Sequence, residues 1–168
     1  MTQAMADTSR SRAGIFNRLL PQRIDNTYRG RKLALWLFGL AVAVRITQSV
    51  LIIVNGYSIA QSADGIPLET YAPAAAQTIV AIFAISSLNR LIISLLCVLV
   101  LVRYRSAIPF MFAVLLLNYL AGQLILRFIP LVTTGTPPGP IVNFTMFTLM
   151  IVGLALSLWK RSDQEVIE

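Results

Sequence analysis

Four apolar runs dominate this chain, at residues 33–54, 74–102, 108–129 and 141–159; each is long enough to cross a bilayer, and the second is longer than a bilayer needs. At 1.5 Å of rise per residue, about twenty residues in a helix cross roughly 30 Å of hydrocarbon. Inside lipid every backbone N–H and C=O must find a partner within the protein, which leaves helices as the means of spanning for runs of this kind. The expected fold is therefore all-α: a polytopic membrane protein, a four-transmembrane-helix bundle. Composition agrees, with 57% apolar and 12% charged residues against roughly 25% charged in an ordinary soluble chain. Around the 33–159 membrane domain lie a basic segment, 1–32, and a short tail, 160–168.

Basic residues beside a span stay on the cytoplasmic side, and here they are strongly one-sided. Arg10, Arg12, Arg18, Arg23, Arg29, Arg31 and Lys32 precede the first run, Arg103 and Arg105 follow the second, and Lys160 and Arg161 follow the fourth. On the opposite side the only basic residue is Arg127, at the far end of the third run. Both termini and the RYRS turn are thus expected in the cytoplasm, with Asp64 and Glu69 facing outward, in a membrane of the bacterial inner type. The net charge of +7 then reports topology and attraction to anionic lipids at the cytoplasmic face, through Arg12, Arg18, Arg23, Arg29, Arg31 and Lys32, and no nucleic-acid partner is expected. Ile15, Phe16, Leu19 and Leu20 suggest a short amphipathic helix on that surface, ended by Pro21. The first run starts too late, runs too long and carries Arg45, so it is expected to be retained rather than cleaved as a signal peptide.

Most catalytic chemistry lacks its residues. There is no His, one Cys and only seven acids, so a zinc site, a dithiol centre and a Ser-His-Asp triad are all excluded. No catalytic residue, metal ligand or cofactor is assigned, and an enzyme is not expected.

The informative residues are two arginines inside spans. Arg45 lies roughly 2 Å from the midplane of the first run, and Arg90 is at a similar depth in the second, counting back from Arg103 at 1.5 Å per residue. Each costs about 2.5–3.5 kcal/mol to insert, and no acid occurs in any of the four runs to offset it. Positions three or four apart share a helix face. Arg45, Gln48, Ser49, Ile52 and Asn55 form one such stripe, and Ser86, Ser87, Arg90, Ser94 and Cys97 another. Both stripes should turn inward, with Asn118, Thr145 and Thr148 completing an interior polar cluster. That cluster has two readings. It is a structural network of guanidinium, amide, hydroxyl and carbonyl groups, or a site where Arg45, Arg90, Gln48, Ser86, Ser87, Ser94 and Asn118 receive an anion, a headgroup or an acid from a partner.

Gly39 with Ala43 and Gly153 with Ser157 are small-residue pairs suited to close helix packing. Ser106 and Pro109 suit the start of the third helix. The layout of four helices, a long outward first connection and a tight basic turn, RYRSAIPFM, resembles the DoxX-like small membrane proteins over residues 33–159. The resemblance implies architecture and carries no site residue with it.

Two functions follow as expectations. One is an accessory or scaffolding subunit of a membrane complex, whose arginines pair with acids or an anionic group of a membrane protein partner or a second copy. The other is a small oligomeric carrier or channel for an anion or anionic lipid. Small size and the lack of any signal for broken helices or inverted repeats weigh against transport.

Overall fold

The computed structural model describes Asn26, Tyr28 and residues 30–159. The segment with Ile15 to Leu20 and Arg12, Arg18, Arg23 and Arg29 lies outside the described residues. Four helices organise the rest: α1 (Lys32–Ser62), α2 (Pro73–Arg103), α3 (Ile108–Phe128) and α4 (Gly139–Leu158). All four are long and apolar enough to cross a membrane, and no strand occurs among the described residues. Short 3-10 turns, Leu68–Thr70 and Arg105–Ala107, punctuate the first and second connections. Ala107, rather than Ser106, is the cap residue of α3, and Pro109 occupies its first turn.

The helices do not pack equally. α1 lies along α2 and also against α4, α4 packs on α3, and α2 and α3 make little contact with each other. What joins all four is a core near the basic end of the molecule. Phe38 and Val42 of α1, Cys97 of α2, Ile108, Phe112 and Leu115 of α3 and Met150 of α4 are buried together. Phe38 and Phe112 meet edge to face at 5.0 Å, a favoured aromatic geometry. Gly153 makes the approach of α3 to α4 possible, because a Cβ there would collide with the Phe112 ring. Of the two small-residue pairs, only the one at Gly153 is this tight, since a Cβ on Gly39 would come no nearer than 3.6 Å to Leu101. The segment before α1 docks on the end of α4. Tyr28 donates a hydrogen bond to Ser157 Oγ at 3.1 Å, and the Arg31 guanidinium lies 5.3 Å from the Trp159 ring centre, within cation–π range.

The opposite end is built differently. A straight helix of 31 residues would run about 46 Å, longer than a span requires, and α1 breaks near its far end, where Asn55 takes non-helical angles (φ −124°, ψ 39°). The apolar run ends one residue earlier, at Val54, so the stretch beyond the break is the part that hydropathy had assigned to the connection. Gly56 follows immediately, and a Cβ there would stand 3.0 Å from Val80, so the missing side chain lets α1 approach α2 closely. Ala60, Ile66, Leu68 and Ala76 form a small second core beneath the returning loop. That loop is tied to the α3–α4 connection through backbone bonds. The Thr134 N–H donates to the Gly65 carbonyl at 2.8 Å, and the Gly139 N–H to the Ala63 carbonyl at 2.9 Å. Gly65 takes φ +69°, the left-handed conformation that glycine adopts at no steric cost.

Candidate functional site

Between α1, α2 and α4, toward this second end, lies a cavity of about 320 Å³. Its polar lining is Gln48 from α1, Asp64 from the loop, Ser86, Ser87 and Arg90 from α2, and Asn143 from α4. Leu51, Ile52, Ile59, Phe83 and Val142 supply the apolar part. The volume is at the low end for small-molecule sites.

The local geometry follows from helical spacing. Ser86 and Ser87 lie four and three residues before Arg90, so one face of α2 brings both to the same wall as the arginine. Ser87 is 2% exposed. Gln48 lies one turn beyond Arg45 on α1, opposite that wall. Arg90 donates no hydrogen bond to any described residue and has no carboxylate within 4.0 Å. Arg45 is half-buried, and its Nε is fully buried with no hydrogen-bond partner among the described residues. The two guanidiniums are near enough to repel one another. Arg90 therefore brings positive charge to the wall of the cavity, and Arg45 adds to it from nearby without lining the space.

Other residues of the expected polar cluster do something else. The Ser49 hydroxyl donates to the Arg45 carbonyl, and that of Ser94 to the Arg90 carbonyl, each at 2.8 Å. Both serines are fully buried, and they satisfy helix carbonyls rather than the guanidiniums. Asn118, Thr145 and Thr148 depart from their expected interior placement, since all three are exposed on the outer faces of α3 and α4. The threonine hydroxyls donate back to Ile141 and Phe144 of their own helix. For Asn118 the reason is the separation of α2 from α3: buried residues of α3 stop at Leu115, and the middle of the helix meets α4 through the Tyr119–Phe147 stack at 4.7 Å, which leaves the Asn118 side without a helix opposite. Arg31 and Lys32, assigned to the membrane surface, are both exposed.

Asp64 is the residue whose position spacing did not reveal. It is assigned above to the outward connection, yet the bonds through Ala63 and Gly65 fold it over the cavity mouth. Its carboxylate sits beside Gly139, where a Cβ would lie 2.8 Å from Oδ1. Burial pushes its carboxyl above the ordinary carboxylate value, and the positive field of Arg90 partly offsets this. The signal available in the sequence was the Asp-Gly pair, a strong turn former. Asn143, also missed, was visible as an amide in the first turns of an otherwise apolar helix. A second cavity, about 390 Å³, lies between α1 and α2 near Tyr57 and Tyr71. Its one acid, Glu69, accepts a hydrogen bond from Gln61 at 2.7 Å, and no cation lines it.

Comparison with protein-family models, with curated proteins and with solved structures found no match.

Proposed function

We propose that this chain is a membrane-embedded binding protein for an anionic group, with Arg90 as the direct contact and Arg45 reinforcing the field from below. The observation that carries this reading is a guanidinium lining a cavity with no hydrogen bond and no carboxylate within 4.0 Å among the described residues. Arginine offers five donors in a fixed fork that matches carboxylate and phosphate, and in a poorly hydrated site its attraction for an anion is much stronger than in water. Gln48, Ser86, Ser87 and Asn143 are placed to donate or accept around the same guest. The carrier reading gains from the break at Asn55, because discontinuous helices are where transporters commonly build their sites.

The basic residues support an orientation with both termini and the Arg103–Arg105 turn in the cytoplasm, which opens the cavity toward the other side of a bacterial-type inner membrane. The DoxX-like resemblance fits this layout as architecture and adds no ligand.

A second reading, the accessory subunit, rests on Asn118. It is the middle residue of α3 and is exposed. A carboxamide facing hydrocarbon is costly, and a hydrogen bond to a neighbouring helix is the usual remedy. A partner or a second copy packed on that face would supply it.

Native mass spectrometry of the protein released from its own membrane tests both. Retained anionic mass that disappears in Arg90→Gln supports the binding reading, and retention unaffected by Arg90→Gln overturns it. A stoichiometric protein partner or second copy lost in Asn118→Leu supports the subunit reading, and assembly that survives the substitution overturns it.

A further inference from the structure

The cavity carries both signs of charge. Arg90 stands on its α2 wall and Asp64 at its loop edge, and Gln48, Ser86, Ser87 and Asn143 complete the polar lining without adding a charge. The two ions are close enough for the arginine to influence the carboxyl, yet no nitrogen–oxygen pair between them comes within 4.0 Å. An ion pair satisfied by itself would close that gap. The loop bonds from Thr134 and Gly139 instead hold the backbone on both sides of Asp64 in place, so the separation is built into the fold. A purely anionic guest would meet the Asp64 carboxylate as a like charge at the cavity edge. A guest with an anionic group at Arg90 and a protonated amine at Asp64 would neutralise both.

Size and lining narrow the class further. At roughly 30 Å³ per water the cavity has room for about ten waters, enough for a headgroup of about eight non-hydrogen atoms such as phosphoethanolamine. Leu51, Ile52, Ile59, Phe83 and Val142 give the same space an apolar side, which suits a molecule whose polar head continues into a hydrocarbon stem. Resting on the anion-binding reading above, we infer that the cavity binds a zwitterionic amphiphile, its phosphate or carboxylate on Arg90 and its ammonium on Asp64. The two sources of such a group are an aminophospholipid of the bilayer and a small free zwitterion.

The test uses the full chain in detergent, delipidated and then titrated with phosphatidylethanolamine, with phosphatidylglycerol of identical acyl chains, with free phosphoethanolamine and with inorganic phosphate. Bound mass is read by native mass spectrometry. Wild type is expected to prefer the amine-bearing lipid by about fivefold, the value of one partly exposed ion pair. Asp64→Asn should remove that preference, weakening the amine-bearing lipid and relieving the like charge that opposes phosphatidylglycerol, and Asp64→Glu should restore it. Arg90→Gln should weaken both lipids, and Arg90→Lys should recover part of the loss. Binding of free phosphoethanolamine at a strength similar to the lipid's would assign the site to a soluble zwitterion, and its failure beside strong lipid binding would assign it to the bilayer. Equal affinity for the two lipids in wild type, or a preference that survives Asp64→Asn, overturns the zwitterion inference while leaving the Arg90 anion site standing. Lipid binding indifferent to Arg90→Gln overturns the anion site itself. Unchanged thermal unfolding of each variant separates loss of binding from loss of fold.

Discussion

The two ends of this molecule solve opposite problems with the same four helices. Near the basic end, side chains from all four interlock around Phe38, Cys97, Phe112 and Met150, and the Tyr28 and Arg31 contacts hold the start of α1 against the end of α4. Toward the other end α1 breaks, α3 stands clear of α2, and polar groups surround a cavity instead of a core. Apolar side chains gain little by leaving lipid for one another, so helix association here depends on close packing. The contrast teaches that the tight end supplies the rigidity, which frees the other end to keep open a space that packing would otherwise fill.

The most damaging way to break this division is to wedge the tight end apart. Gly153→Leu forces a branched side chain into the space of the Phe112 ring, where even a Cβ has no room. Overpacking of a core costs about 1–3 kcal/mol and sometimes more, so the expected result is a large fall in the thermal midpoint in detergent, together with loss of lipid retention. Unchanged unfolding would show that α3 and α4 are free to separate and that the core does not hold the cavity in shape.

Phe112→Ala comes next. Lipid is as apolar as the protein core, so the transfer contribution nearly vanishes and the cavity contribution remains; roughly 100 Å³ at about 24 cal/mol per Å³ gives about 2.4 kcal/mol. Removing the ring also removes the obstacle to a Cβ at residue 153. Gly153→Ala should therefore be destabilising in wild type and nearly neutral in Phe112→Ala, a non-additivity expected only of residues in contact. Additive effects would place the two apart.

The cavity end responds to pH rather than to volume. The Asp64 carboxyl titrates above its ordinary value of 3.8 because it is buried, with Arg90 opposing the shift. A carboxyl with a raised value in the folded state holds its proton more tightly there than in the unfolded chain. Its contribution to stability is thus present in acid, falls as pH rises from about 4 through the folded-state value, and then stays level. Asp64→Asn cannot ionise, so lipid-free protein carrying it should lose that fall and be more stable than wild type at pH 7, with little difference near pH 4. A variant less stable at pH 7 would show that the charge is held favourably at the start of α4, where an anion is welcome.

These two ends were not equally legible in the sequence. Residues such as Phe38 and Ile108 lie in runs whose length and hydropathy suffice to identify helices, and the shared face of Ser86, Ser87 and Arg90 follows from spacing alone. The break at Asn55 and the helical stretch beyond it were hidden because polar residues resume there and hydropathy stops reporting. Asn118 was misplaced for a related reason. Periodicity says which residues share a face but not whether a neighbour lies opposite, and α2 and α3 separate although their connection is short. Asp64 reaches the cavity through backbone bonds from Thr134 and Gly139, residues about seventy positions away, which no local pattern encodes.

The smallest effect is the most specific probe of whether the ends act independently. Tyr28→Phe removes only the hydroxyl that donates to Ser157 and keeps the ring. A hydrogen bond of this kind contributes about 0.5–1.5 kcal/mol. The loss should fall at the low end, because the bond joins two neutral hydroxyls and is only partly buried, so water can stand in for the donor that Ser157 loses. Thermal unfolding should shift slightly, and lipid retention at the Arg90 cavity should not change. A larger loss of retention than of stability would mean that the docked segment before α1 controls the cavity from the far end, and the division of labour between the two halves would then have to be replaced by a coupling along α1.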